Sequence, residues 1–185
     1  MTDNAFSFCP RCGNVKIQTI GVVKWQCPAC DFTLYNNVAA AVAVILADAS
    51  EYVLFETRAQ EPRKGFLALP GGFVNGDESA EQAVRRECQE ETGIVLSHVE
   101  FVTSFPNTYD YKRIRYKTCD LFFSAGLPAG IESIADLIAT AQKDTAEVRA
   151  LSAVRIQTAE ELAAVPLAFD SARQALAVWL SWRQR

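Results

Sequence analysis

The chain has 185 residues, half of them hydrophobic and 22% charged, with a formal net charge of −4. Such a length holds one main domain with room for a small satellite, and the composition excludes a chain that stays disordered. The acidic balance disfavours a nucleic-acid partner, and the longest apolar run, Val38–Ala47, is about half of what a membrane-spanning helix needs. The first residues lack a secretory pattern, so the cytoplasm is the expected compartment. In chain order, residues 7–36 are Cys-rich and poor in large aliphatics, and a boundary at Asn36-Asn37 divides a head (1–36) from a body (37–185). In the body, Val38–Leu46 reads as a buried strand, Asp48–Glu51 as a turn and Tyr52–Arg58 as a second strand. Gly71, Gly72 and Gly76 punctuate a loop, Ser79–Thr92 reads as a helix, and Gly93 ends it. Strands follow at Val99–Phe105, Arg115–Ser124 and Val148–Ile156, with helical spacing over Ile131–Gln142, Thr158–Ala164 and Phe169–Trp182. Strands mixed with helices predict an α/β or α+β sandwich.

Four of six cysteines form two pairs, Cys9-Pro-Arg-Cys12 and Cys27-Pro-Ala-Cys30, with fourteen residues between Cys12 and Cys27. Each pair lets two sulfurs converge from one tight turn, and the interval admits a hairpin that brings the second turn to the first. Four soft ligands in this spacing predict structural Zn²⁺, with iron, free thiols or disulfides as the alternatives. A head this small needs its metal to fold. Its few basic residues, Arg11, Lys16 and Lys24, favour a structural or dimerising lobe over a nucleic-acid contact.

At 100° per residue the helix places Ala80, Ala83, Val84 and Cys88 on one apolar face. Glu87 and Glu91 project from the middle of that face and Glu90 lies at its edge, whereas an ordinary solvated helix turns its glutamates the other way. Carboxylates gathered and desolvated in this manner need a cation or protons among them. Oxygen donors of this kind suit Mg²⁺ or Mn²⁺. Arg86 beside Glu90, and Glu78 at the helix start, are placed to hold the carboxylates in fixed rotamers.

The pattern Gly72-x5-Glu78-x7-Arg86-Glu87-Cys88-x-Glu90-Glu91-x-Gly93-Ile94 resembles the signature box of the Nudix hydrolases at every fixed position, with Cys88 where a larger aliphatic is common. The Leu69-Pro70-Gly71-Gly72 approach is also similar, and a zinc-ribbon head before such a body is similar to the family's NADH pyrophosphatases and their zinc-ribbon relatives. The resemblance implies a Nudix α/β/α sandwich behind an N-terminal zinc ribbon. It further implies Mg²⁺-dependent cleavage of a nucleoside diphosphate linked to another moiety. Glu87, Glu90, Glu91 and the carbonyl of Gly71 would be Mg²⁺ (or Mn²⁺) ligands, supported by Glu78 and Arg86. The general base would be Glu147 or Glu90. The NADH-cleaving members carry Ser-Gln-Pro-Trp-Pro-Phe-Pro after the box. Here Ser104-Phe105-Pro106-Asn107-Thr108-Tyr109 keeps only the serine and first proline, so ADP-ribose or another ADP-linked compound fits as well as NADH. Phe105 and Tyr109 are candidates to stack on a base, and Arg58, Arg113 and Arg115 to meet phosphates; an edge strand kept soluble by positive charge is the competing reading. A homodimer agrees with the resemblance. The alternative function is a nucleotide-sensing Nudix-fold protein whose ribbon docks nucleic acid or a protein.

Overall fold

The computed structural model describes residues 7–21, 24–35, 37–111 and 114–183. They group into two compact units, Met1–Val38 with Thr108–Lys117, and Ala39–Asn107 with Thr118–Arg185.

The first unit carries an antiparallel meander of β1 (Gln18–Ile20), β2 (Lys24–Gln26) and β3 (Thr33–Tyr35), in spatial order β1-β2-β3. Strands of three residues have little apolar area to bury; Trp25 alone on β2 is buried. The same unit includes the ends of two long strands, β7 (Glu100–Tyr111) and β8 (Ile114–Ala125), where Lys117 donates to Thr108 at 2.7 Å.

The second unit is built on β4 (Ala39–Leu46), β5 (Tyr52–Arg58), β6 (Leu67–Ala68) and β9 (Val148–Arg155) together with the remainder of β7 and β8. One sheet runs β4-β8-β7, with β4 parallel to β8; the other runs β6-β5-β9, with β5 antiparallel to both neighbours. Strand period two then divides the core. Ile45, Val53 and Phe55 point to one side and pack under α3 (Ala159–Ala164) and α4 (Asp170–Arg183), through Leu162, Ala175, Leu176 and Trp179. Val42, Val44, Leu46 and Leu54 point to the other side, against α1 (Ala80–Thr92) and α2 (Ile134–Thr140), through Val84, Cys88, Ile134 and Leu137. Both faces are covered, which is why β4 and most of β5 read as continuous apolar runs. The layers are the α/β/α sandwich expected from the sequence. No helix among the described residues is long and apolar enough to cross a membrane.

Two elements differ from expectation. β7 continues past Phe105 through Pro106, and it is the edge strand of its sheet, the place where a strand tolerates proline. The helix expected over Ile131–Gln142 forms only as Ile134–Thr140. Ser133 caps it, and the Ile134 N–H donates to the buried Asp48 carboxylate at 3.0 Å, so a tertiary contact fixes where it starts.

Candidate functional site

In the head the four cysteine sulfurs lie within 4.8 Å of one another, with Cys9 and Cys30 3.7 Å apart and Cys12 and Cys27 3.6 Å apart. A tetrahedral ion with bonds of about 2.3 Å to sulfur sets an edge of about 3.8 Å, so the set has the size of a zinc site. The two turns are built alike. Cys9 N–H donates to Asn14 and its carbonyl accepts from Gly13; Cys27 N–H donates to Phe32 and its carbonyl accepts from Asp31. Both turns close through a left-handed residue, Gly13 at φ 73° and Asp31 at φ 57°. Burial opposes charge on Cys9, but the Cys12 and Arg11 amides outweigh it and the thiol falls to about 7. At Cys12 the Asn14 amide favours the thiolate, yet the neighbouring sulfurs push the thiol up to about 12. Four sulfurs gathered this closely are a soft donor set of the right size, and it fits Zn²⁺.

In the body, α1 is positioned by its ends. Ser79 and Gln82 form a reciprocal capping box, and Gly93 closes the helix at φ 73°. The approach loop is laced to β4: Val44 N–H donates to the Pro70 carbonyl, Val42 to Gly72, and Val74 to Ala40. Between them Gly71 turns its N–H toward α1 and donates to Glu91 Oε2 at 2.7 Å. Any side chain on Gly71, at φ 152°, would meet the Val42 carbonyl oxygen at 2.0 Å, and one on Gly72 would meet the Glu87 carboxylate at 2.6 Å. The paired glycines therefore let backbone and carboxylate touch.

The carboxylates fall where the helical wheel puts them. Glu91 is buried at 6% exposure, the Glu87 side chain is 13% exposed, and the Glu90 side chain, at the edge, is 60% exposed. Arg86 gathers three of the acids, reaching Glu78 at 2.6 Å, Glu87 at 2.8 Å and Glu90 at 2.9 Å, and it also donates to the Phe73 carbonyl. The Arg86 guanidinium and the Asn75 amide hold Glu78 down at about 2. Burial raises Glu87 against the pull of Arg86, with Glu90 and Glu147 adding to the rise. Burial pushes Glu91 up to about 8; the Gly71 amide opposes it, and the charges of Glu87 and Glu147 reinforce it. Glu87 and Glu91 are thus both raised by burial and by neighbouring carboxylates, with Arg86 engaged on Glu87, and carboxylate oxygens are donors of the kind a divalent cation takes.

Glu147 precedes β9, exposed, its carbonyl accepting from Ala59 at 2.8 Å, and its charge is felt at Glu87 and Glu91. Arg58 is half-buried, donating to the Pro62 carbonyl at 2.9 Å with its guanidinium 5.4 Å from the Phe169 ring centroid. Phe105 packs partly buried against the core under α4. Tyr109 and Arg115 belong to the head unit, where Arg115 makes an exposed 2.9 Å ion pair with Asp110. Arg113 lies outside the described residues.

Sequence reasoning missed Glu56. This β5 residue is 2% exposed; burial and the charges of Glu91 and Glu147 hold it well above the usual carboxylate range, against Arg58. The signal was present, since alternation from Leu54 sends residue 56 inward. Cys88, the departure from the box, is fully buried in the α1 core, and burial pushes its thiol up to about 12, so it acts as a small apolar residue.

The NUDIX domain family matches residues 37–177, and the chain belongs to the Nudix hydrolase family. It is 33% identical over 106 residues to the NAD-capped RNA hydrolase NudC of Haemophilus influenzae, a match covering 55% of this chain and 40% of that protein. The chain thus spans less than half the length of this curated relative. Among solved structures, a NUDIX hydrolase from Nitrosomonas europaea superimposes with a TM-score of 0.61 at 23% identity, over 96% of this chain and 92% of that one. The NUDIX domain of Shewanella oneidensis NrtR, solved with ADP-ribose, gives a TM-score of 0.58 at 23% identity, over 80% of this chain and 88% of that one.

Proposed function

We propose that this chain is a Mg²⁺- or Mn²⁺-dependent pyrophosphohydrolase that cleaves the diphosphate of a nucleoside diphosphate linked to another group, with ADP-ribose and NADH as the first candidates. The carrying observation is the inward placement of Glu87 and Glu91 on α1 against Gly71 and Gly72. A helix that needed only to pack would put apolar residues there. Glu87, Glu90, Glu91 and the Gly71 carbonyl would hold the cation, which supplies charge to offset the diphosphate oxygens and to make water acidic. Arg86 and Glu78 keep those carboxylates in register. Glu147 is the better proton acceptor for the attacking water, because it is exposed and close enough to feel the cluster, whereas Glu90 is held by Arg86. Water adds to one phosphorus, the bridging P–O bond breaks, and the water's proton passes to the carboxylate, leaving two phosphate esters.

The head, residues 1–36, is proposed as a zinc-dependent lobe and residues 37–185 as the hydrolase domain. The test is hydrolysis of ADP-ribose, NADH and a panel of nucleotide sugars with Mg²⁺ by wild type, Glu91→Gln and Glu147→Gln. Turnover by wild type, lost in Glu91→Gln, supports the reading. Binding of ADP-ribose without turnover by wild type would instead make the chain a sensor.

A further inference from the structure

Glu56 sits where a sheet under a helix ordinarily carries Val or Leu. It shares the face of β5 with Leu54, the face that α1 covers, and its cross-strand partners are Ala68 on β6 and Leu151 on β9, which offer no side-chain hydrogen bond. At 2% exposure its Oε2 has no hydrogen-bond partner. Helix α1 covers this face of β5 and carries the buried Glu91, and the two carboxyls perturb each other, so the unpartnered acid lies beside the carboxylate cluster. Buried acids persist when they are paired or coordinate a metal, and a second carboxylate placed against the first supplies no pairing charge. Hard cations take carboxylate oxygens from several elements at once.

We propose that Glu56 is a further oxygen ligand of the divalent cation held by Glu91, joining strand β5 to helix α1 in the metal site. The inference rests on the metal site proposed above. It extends the ligand set beyond the box to a residue that no helical signature would include. Arg58, two residues along, only partly offsets the rise of Glu56.

The test is Mn²⁺ titration followed by the electron paramagnetic resonance signal of free Mn²⁺, with zinc-loaded full-length protein and no nucleotide. Wild type, Glu56→Gln, Glu56→Val, Glu91→Gln and the surface control Glu160→Gln are compared, each with a thermal melt. Glu56→Gln and Glu56→Val should each weaken Mn²⁺ binding about tenfold or more. Both should melt, metal-free, at or above the wild-type temperature, because an orphaned carboxylate has gone. Glu160→Gln should match wild type. Wild-type Mn²⁺ affinity in Glu56→Gln, with affinity lost in Glu91→Gln, overturns the proposal while leaving the metal site standing, and makes Glu56 a neutral hydrogen-bond donor to Glu91. No Mn²⁺ uptake by wild type overturns the site and the proposal together.

Discussion

The molecule holds two clusters of acidic donor groups, and they are built on opposite plans. In the head the sulfurs are already at mutual distances of 3.6 and 3.7 Å, and two look-alike turns fix them through backbone hydrogen bonds. In the body the carboxylates hang from long flexible side chains on α1 and β5, and their order comes from burial, from Arg86 and from the Gly71 amide. The first plan fixes ligand positions by the local chain. The second fixes them by packing a helix on a sheet, so it depends on a folded core and can exchange its occupant. A structural ion suits the one and a catalytic ion the other.

The largest effect should come from breaking the second plan at its buried acid. Glu91→Gln should lower kcat for an ADP-linked substrate by at least about 100-fold with the fold intact, measured by phosphate-ester release and circular dichroism. Breaking the first plan should act on structure instead. Metal analysis of wild type should find roughly one zinc per chain; Cys27→Ala should lose it and unfold the head by heteronuclear NMR, while the body's core signals persist.

The glycines sharpen the contrast within one loop. Gly71→Ala should destabilise the body by about 3 kcal/mol or more in urea, because a left-handed φ and a rigid carbonyl both oppose it. Gly72→Ala should keep stability and lose roughly tenfold in kcat, since only the movable Glu87 carboxylate has to give way.

The smallest effect is on pH. Glu91 stands near 8 when folded and metal-free, above its ordinary value of 4.5. The native state then binds the extra proton, so its stability contribution is complete below about 4.5 and falls as pH rises through 8. Metal-free wild type should melt lower at pH 8 than at pH 5, by more than Glu91→Gln does. Mg²⁺ should restore the pH 8 value in wild type only.

Much of this was legible in the residues. Strands β4 and β5 and helix α1 were readable because apolar runs, Ser79 and Gly93 are local signals, and the same periodicity turned Glu87 and Glu91 inward. The twofold spacing of cysteines carried the head. What escaped depends on neighbours far along the chain. Pro106 is tolerated because β7 is an edge, α2 starts where Asp48 meets Ile134, and Glu56 stands out only once Glu91 is found to perturb it.

The proposed hydrolysis requires that the acids facing inward from α1 hold a divalent cation. Crystals soaked in Mn²⁺ test it most directly, through the anomalous difference map at the manganese edge. A peak bonded to the Glu87 and Glu91 carboxylates beside Gly71 is expected, lost in Glu91→Gln. Full hydrolytic activity in Mn²⁺ with no peak among these carboxylates would contradict it.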